Sequence, residues 1–383
     1  GSYKVREFSK GYENVEAGDA AVTRIDKNTW RIATEGKSNV TLTYNVYCFA
    51  ISARESYADE KYAFLHSVSA FGYLEGYEKE QIVLKIEPYT GWNSVEVALP
   101  QTKAMGYVYT CANYDLLADS PIALGNFDVT TYKSGGTPHR VVMIGEGNYD
   151  LEVIKEDFKK ISDSQVKMMG EHPSDRYTHF IYNVASGGGG LEHLNSQTSV
   201  MPRWNYTNPG KYRGFLGLIA HEYFHLWNVK RIRPIQLGPF NYNEEVYTDM
   251  LWIAEGITSY YDDLTLYRIG KMDKKQYLNV IASQISRFEN TPGKDVMSLA
   301  HSSMLTWIKA YLPNEESMNQ TVSYYNKGMI AAALLDLEIR ANSKNCLDDV
   351  MTTLYKDYYK KEDRGFTHDE FIAVCSKVTG KDM

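Results

Sequence analysis

The segment 221–225, with the sequence His-Glu-Tyr-Phe-His, constrains the fold and the chemistry of this chain more than any other. It lies within residues 217–230, whose apolar spacing predicts a buried helix. Residues four apart lie on the same face of a helix, so the ring nitrogens of His221 and His225 can bind one metal ion. Glu222, next to the first of them, is placed to take a proton from a metal-bound water. The pattern therefore predicts a zinc hydrolase.

A second apolar segment, residues 248–261, supplies a candidate for a third metal ligand. Its Glu255 is embedded among apolar residues, where an unpaired carboxylate would be costly and a coordinated one would not. Catalytic zinc sites usually have three protein ligands and leave the fourth position to water. Residues 226–254 are enough for a loop that returns the second helix antiparallel to the first. We expect Glu255 to be the third ligand; the alternatives are a structural glutamate here and, at 221–225, two packed histidines with a surface glutamate.

Composition and charge exclude several classes of protein. The chain has 383 residues, of which 43% are hydrophobic, and a net charge of −7 with acids and bases interspersed. No basic stripe indicates a nucleic-acid partner, and no apolar run is long enough to cross a bilayer. The scattered cysteines predict neither a disulfide framework nor a cysteine metal site. We find no signal-peptide pattern, which leaves the compartment open between cytoplasm and periplasm, and the oligomeric state is open too.

The hydrophobic periodicity changes near residue 150. Short alternating or buried-type strands precede this point, and a helical period dominates after it. The pattern predicts an α+β fold in which a β-rich N-terminal domain, residues 1–145, precedes a second domain, residues 146–383, with a helical C-terminal part. The predicted strands are 39–47, 81–86, 140–144 and 178–184, and the predicted helices outside the zinc segments are 151–169, 273–289, 325–342, 346–359 and 367–378.

A run of glycines, residues 187–190, follows the predicted strand 178–184 and is followed in turn by Glu192. Beside a zinc site, a strand that ends in glycines can let a bound peptide lie against its exposed edge as an added strand. The glutamate could then pair with the free α-amine of a substrate. A flexible surface loop with an incidental acidic residue explains the same pattern, and both interpretations stay open from these residues alone.

Two adjacent tyrosines lie in the segment Ser-Tyr-Tyr-Asn-Lys-Gly, residues 323–328, which introduces a helix from Met329 to Arg340. A tyrosine hydroxyl at the start of a helix could stabilise the oxyanion of a tetrahedral intermediate. An ordinary packed aromatic side chain is the simpler interpretation of these residues by themselves.

Together, these motifs closely resemble those of the glycyl aminopeptidase family of zinc peptidases. Four segments match in the same order along the chain, and softer similarity extends over nearly the whole sequence, including residues 1–8. The four segments are Gly-Gly-Leu-Glu-His (189–193), His-Glu-Tyr-Phe-His-Leu-Trp-Asn-Val-Lys-Arg-Ile-Arg-Pro (221–234), Leu-Trp-Ile-Ala-Glu-Gly-Ile-Thr-Ser-Tyr-Tyr (251–261) and Ser-Tyr-Tyr-Asn-Lys-Gly (323–328).

The resemblance implies a thermolysin-like catalytic domain behind a β-rich N-terminal domain, usually followed by a PDZ domain. On this basis we expect the chain to begin partway into the β domain, with Gly1 and Ser2 as native sequence, and to stop before the PDZ domain. The resemblance also implies that His221, His225 and Glu255 bind one zinc ion per chain.

The family resemblance further implies that Glu222 is the general base and proton shuttle. By similarity to the related alanyl aminopeptidases, Glu192 would bind the substrate amine beside Gly189 and Gly190, and Tyr325 would stabilise the transition state. The implied function is a zinc aminopeptidase acting on peptides with a free N-terminus, with a preference for glycine or alanine as the first residue. The alternatives are a zinc endopeptidase on the same scaffold and a peptide-binding module that acts through the PDZ domain.

Overall fold

The computed structural model describes residues 3–102 and 106–383. The described chain divides into two compact units. The N-terminal unit is Val5–Asn126, and the C-terminal unit consists of residues 3–4 together with Phe127–Met383. Gly1 and Ser2, which we expect to be native sequence, lie outside the described residues.

The N-terminal unit is built from short antiparallel strands. Within the described residues, the strands in chain order are β1 Tyr12–Glu16, β2 Val22–Arg24, β3 Trp30–Ile32, β4 Thr43–Val46, β5 Tyr57–Ala58, β6 Ala63–Leu65, β7 Ile82–Ile86, β8 Ser94–Val97, β9 Tyr107–Cys111 and β10 Ile122–Gly125. They pair as β1 with β4, β2 with β3, β7 with β9, and in the order β5-β6-β10-β8. A 3-10 turn, Phe8–Gly11, and two short helices, α1 Ser67–Ala70 and α2 Tyr114–Ala118, complete the unit.

The prediction that this part of the chain is β-rich is confirmed. The predicted strand 81–86 corresponds to β7, whereas the predicted strand 39–47 is shortened to β4. The reason lies in its partner, because β1 pairs with β4 only as far as Glu16 opposite Thr43. Alternating hydrophobicity continues beyond the residues that find a strand to pair with.

The C-terminal unit is organised around a mixed sheet. Its strands are β11 Asp128–Ser134, β12 Thr137–Ile144, β13 Tyr177–Val184, β14 Gly190–Glu192 and β15 Ser196–Pro202, in the order β11-β12-β13-β15-β14. The three inner strands are parallel, and β11 and β14 run antiparallel to their neighbours. Every residue of β13 is buried, as expected for the centre of a sheet that is covered on both faces.

The hairpin formed by β11 and β12 lies in this sheet, although the domain boundary predicted at residue 145 assigns it to the N-terminal domain. β12 pairs in parallel with β13 from His139 opposite Tyr177 to Ile144 opposite Tyr182. The two units of the structure therefore divide after Asn126. Local alternation shows that a segment is a strand but does not show which distant strand it joins.

Helices make up most of the rest of the C-terminal unit. They are α3 Leu151–Met169, α4 Pro209–Phe224, α5 Ile257–Arg268, α6 Lys274–Glu289, α7 Leu299–Met304, α8 Thr306–Lys309, α9 Ser317–Gln320, α10 Tyr324–Asn342, α11 Leu347–Leu354 and α12 His368–Thr379, with 3-10 turns at Ile235–Leu237 and Pro292–Asp295 and π-helical turns at Trp252–Gly256 and Tyr355–Lys360. The predicted helix 151–169 is confirmed. In the described part of the chain, none of these helices combines the length and the apolar character needed to cross a membrane.

Helix α4 is buried between two hydrophobic clusters. One cluster joins its middle to α3 and the sheet through residues such as Phe158, Ile181 and Phe215. The other joins its end to α5, α10, α11 and α12, and includes Phe224 and Ile257. Each large apolar side chain buried in this way contributes about 1.5–3 kcal/mol, so both faces of α4 are held in place. The α+β class, with a β-rich N-terminal part and a helical C-terminal part, is confirmed.

Candidate active site

Helix α4 carries the two candidate histidine ligands at its C-terminal end. The helix begins at Pro209 and is preceded by Asn208, whose side chain accepts a hydrogen bond from the backbone of Lys211 at 3.0 Å, a favourable N-cap. It ends at Phe224, earlier than the predicted helix 217–230. His221 and His225 nevertheless remain one turn apart, with ring centroids separated by 4.7 Å.

Glu255 is brought to these histidines by the π-helical turn that precedes α5. Its Oε2 lies 3.2 Å from Nε2 of His225 and 3.4 Å from Nε2 of His221. One potential ligand atom from each of the three residues lies within 4.8 Å of the other two. The structure therefore brings together the three residues that the sequence predicts as metal ligands. A π-helical turn contains one residue more than a turn of α-helix, and such turns are frequent at functional sites.

The arrangement fits a divalent cation. Within the described residues, Oε2 of Glu222 and Oε2 of Glu255 are buried without a hydrogen-bond partner, and an uncompensated buried carboxylate is costly. Glu192, Glu222 and His225 also approach one another within the same distance, so several carboxylates converge on one small region. Two imidazole nitrogens and a carboxylate oxygen form a donor set typical of catalytic zinc. Zinc would therefore give the unpaired oxygen of Glu255 a partner and offset the negative charge concentrated around it.

Each candidate histidine ligand is oriented by a hydrogen bond from its other ring nitrogen. Nδ1 of His221 donates to Oδ2 of Asp262 at 3.2 Å, and Nδ1 of His225 donates to the backbone oxygen of Asn228 at 2.5 Å. The Asn228 side chain also donates to the backbone oxygen of Ile253 at 2.9 Å, which ties it to the turn that holds the third candidate ligand. Partners of this kind fix the tautomer that leaves Nε2 free for a metal.

Our sequence prediction did not include Asp262 or Asn228. One signal for Asp262 was available, because it follows Glu255 by seven residues and so lies near the same face of a continuing helix. Asn228 acts through its backbone oxygen as well as its side chain. Every residue type has a backbone oxygen, so the sequence gives no indication of the hydrogen bond to that oxygen.

The ionisable groups of the site shift one another's proton affinity. Burial alone would lower the pKa of His221, but the adjacent carboxylates of Asp262 and Glu255 raise that pKa well above the ordinary value. Burial would raise the pKa of Glu255, but the two imidazoles hold that pKa below its ordinary value. Burial raises the pKa of Glu222, and the imidazoles only partly oppose the change. Glu222 thus holds a proton more readily than an exposed glutamate, a useful property in a group that accepts and returns one.

Strand β14 approaches Glu222 so closely that only glycine fits at position 190. A Cβ atom built on Gly190 would lie 2.6 Å from Cδ of Glu222. Gly189 has a φ of +90°, a backbone conformation that favours glycine. Glu192 is two residues beyond Gly190 on the same strand, so both project from the same face of the sheet, and the Glu192 side chain is buried.

β14 is also an edge strand, since among the described strands of this sheet it pairs with β15 alone. Of the predicted substrate-binding residues, Gly190 and Glu192 therefore lie on a strand whose outer edge can pair with an extended peptide, and Gly189 directly precedes it. The same strand carries Gly190 against Glu222 and Glu192 within reach of His225.

Tyr325 lies in the first turn of α10, and its ring faces that of His221. Its ring is nearly parallel to that of His221, with centroids 6.2 Å apart. α10 reaches this position through a glycine contact, because a Cβ on Gly328 would lie 2.9 Å from Cα of Gly256. Burial and then the negative charge of Glu255 raise the pKa of Tyr325 well above its ordinary value. Its hydroxyl is therefore a hydrogen-bond donor at neutral pH.

Comparison with known protein families gives two matches. The family model described as M61 glycyl aminopeptidase matches residues 214–331, and the model described as the peptidase M61 N-terminal domain matches residues 1–126. Together these matches span more than half of the chain and include the candidate histidines and Glu255. Comparison with curated proteins found no match.

Solved structures show the same architecture. A crystal structure of an aminopeptidase N family protein from Idiomarina loihiensis is similar with a TM-score of 0.92 and 32% sequence identity, over 97% of this chain and 66% of that chain. This chain therefore spans slightly less than two thirds of that relative's length. The M1 zinc metallopeptidase from Deinococcus radiodurans is similar in fold, with a TM-score of 0.54 and 12% identity over 89% of this chain and 72% of that chain. A mutant of the same enzyme gives a TM-score of 0.56 and 13% identity over 96% of this chain and 81% of that chain.

Proposed function

The chain belongs to the M61 glycyl aminopeptidase family of metallopeptidases, and we propose that it is a zinc-dependent aminopeptidase. Its substrates are peptides with a free N-terminus, and small first residues such as glycine or alanine are preferred, as the family resemblance implies. The observation that carries the proposal is the buried cluster of His221, His225 and Glu255 beside Glu222. Neither two packed histidines nor a structural glutamate would require carboxylate oxygens to be buried without a partner.

His221, His225 and Glu255 would hold one zinc ion. When bound, zinc supplies a Lewis acid that polarises the scissile carbonyl and makes water acidic enough to lose a proton near neutral pH. Glu222 is the base that takes this proton and then returns it to the leaving amine. Its buried Oε2 has no hydrogen-bond partner within the described residues, so it is available for this proton.

The remaining residues orient the substrate and stabilise the developing charge. The outer edge of β14 pairs with the peptide backbone, and Glu192 binds the free α-amine, so that one residue fits ahead of the scissile bond. The Tyr325 hydroxyl donates a hydrogen bond to the oxyanion, a contribution worth about 100- to 1,000-fold in rate. The resulting cleavage releases the first residue of the peptide.

Glu192→Gln tests the amine anchor. The variant keeps the shape of the side chain but loses the negative charge, so we expect kcat/KM for peptides with a free N-terminus to fall by at least about 10-fold, since a hydrogen bond between charged groups is worth roughly 1.5–3 kcal/mol. The measurement compares a free peptide with the same peptide acetylated at its N-terminus. Wild-type protein that cleaves both peptides equally well would contradict the anchor and favour an endopeptidase.

Gly190→Ala tests the close approach of β14 to the proposed base. The added methyl group would meet Glu222 at a distance that requires one of them to move, and a displacement of about 1 Å can cost roughly 100-fold in rate. We expect kcat to fall by this factor while zinc content is retained. Gly188→Ala is the control, because a Cβ at that position meets nothing within 4 Å. Equal kcat for the two variants would refute the steric argument.

A further inference from the structure

Tyr3 lies beside Glu255 in space although 252 residues separate them in the sequence. Its hydroxyl donates to Oε1 of Glu255 at 3.3 Å, and only 8% of the residue is exposed. Residues 3–4 belong to the C-terminal unit rather than to the N-terminal unit that follows them in the chain. The contact therefore lies within the unit that contains the candidate active site.

The Tyr3 ring is fixed by aromatic neighbours. It packs edge-on against Tyr311 and Tyr324, with centroids 6.3 and 6.5 Å away, and it shares a hydrophobic cluster with Leu251 and Tyr324. Tyr324 in turn packs against Tyr325, with centroids 4.7 Å apart. The Tyr3 ring is thus packed against Tyr324, which also packs against the tyrosine proposed to bind the oxyanion.

The two oxygens of the Glu255 carboxylate have different surroundings. Oε1 accepts from Tyr3, whereas Oε2 faces His221 and His225 and has no hydrogen-bond partner within the described residues. A carboxylate that is free to rotate can exchange its oxygens, and a hydrogen bond to one of them opposes that rotation. Groups that orient metal ligands in this way commonly influence metal affinity.

We propose that Tyr3 is a positioning residue of the metal centre, which holds Glu255 so that Oε2 points at the position between the two imidazoles. The inference rests on the proposed function only in taking Glu255 as a metal ligand. At neutral pH a tyrosine hydroxyl carries its proton, so it is a donor whether or not metal is bound. Segment 1–8 also belongs to the part of the sequence that resembles the family, and the hydrogen bond from Tyr3 to Glu255 gives one residue of that segment a role at the candidate site.

Tyr3→Phe removes the hydroxyl and keeps the ring. The matched control is Tyr212→Phe. The Tyr212 hydroxyl also donates to a carboxylate, Oδ2 of Asp157, at 3.2 Å, and the Tyr212 ring packs against the hydrophobic cluster that includes Phe158 and Phe215. We expect Tyr3→Phe to weaken zinc binding by about 10-fold or more, measured by competition with a chelator, and to alter the visible absorption spectrum of the cobalt-substituted protein. The control should match the wild type in both measurements. Wild-type zinc affinity and spectrum in Tyr3→Phe would overturn the proposal.

Two further readouts separate positioning from packing and from the aminopeptidase proposal. The melting temperature of the zinc-free protein should change no more in Tyr3→Phe than in Tyr212→Phe; a larger loss in Tyr3→Phe would assign the effect to packing and overturn the proposal. Among steady-state parameters, kcat should fall more than KM rises. If the wild type binds zinc but cleaves no aminoacyl p-nitroanilide, the aminopeptidase proposal fails, while weakened zinc binding in Tyr3→Phe still supports the positioning role.

Discussion

Glu222→Gln is expected to leave zinc bound and to reduce kcat by about 100- to 10,000-fold, the usual range for removing a general acid–base group. Glutamine has the same shape and fits the same buried position, but its amide cannot take a proton from water near neutral pH. Glu222 is not among the three residues proposed to bind zinc, so we expect the variant to keep its affinity for zinc while it loses activity. Zinc content by elemental analysis and kcat on an alanine or glycine p-nitroanilide provide the two measurements.

The control for this substitution is Glu171→Gln, which removes a carboxylate that accepts hydrogen bonds from Tyr355 and Lys360 at 2.8 Å. That variant should retain wild-type kcat. The ion pair that it removes, between Glu171 and Lys360, is largely exposed to solvent, and exposed ion pairs contribute little to the stability of a protein. A Glu222→Gln variant with kcat within a few-fold of the control would exclude Glu222 as the base. Loss of zinc from Glu222→Gln would instead indicate that Glu222 helps to hold the metal.

Much of the fold of the C-terminal unit could be predicted from local patterns. The predicted helix 151–169 has the ends that the structure shows, where Asp150 caps its start and Gly170, with a φ of +88°, ends it; both residue types are common at these positions. The predicted helix 367–378 likewise corresponds to α12, whose capping box joins Thr367 and Glu370. Ends set by such residues can be predicted from the sequence alone.

The boundaries of α4 and of the segment around Glu255 were harder to predict. Apolar residues continue past Phe224 because the following turn is as deeply buried as the helix; Leu226 and Trp227 are fully buried. Periodicity therefore records burial and not the hydrogen-bonding pattern. The same limit conceals the π-helical turn Trp252–Gly256, since a one-residue change in hydrogen-bond spacing leaves the composition unaltered.

Within the candidate site, the grouping of the three candidate metal ligands could be predicted because two of them share one helical turn and the third is an acid in an apolar segment. The contacts that arrange these ligands could not. The approach of Gly328 to Gly256 and the hydrogen bond from Tyr3 to Glu255 join segments far apart in sequence. Such contacts depend on how complete elements pack, and a single sequence carries no record of that packing.

Glu255→Gln is expected to weaken zinc binding by well over the roughly 100-fold that loss of an outer-shell partner can cost. The substitution keeps the volume of the side chain and an oxygen able to accept from Tyr3, but it removes the negative charge that the cation would neutralise. A metal ion that binds only the folded state stabilises the folded protein. Zinc should therefore raise the melting temperature of the wild type far more than that of this variant. Calorimetry with and without zinc measures the difference.

Glu171→Gln again serves as the control, since it removes a glutamate charge elsewhere in the unit. It should show the same zinc-dependent rise in melting temperature as the wild type. Activity lost in Glu255→Gln should return in part at high zinc concentration, whereas activity lost in Glu222→Gln should not, because the second variant lacks a proton acceptor and not a ligand. Undiminished zinc affinity in Glu255→Gln would remove Glu255 from the ligand set, and the buried carboxylate beside two imidazoles would then require another cation or a proton to balance its charge.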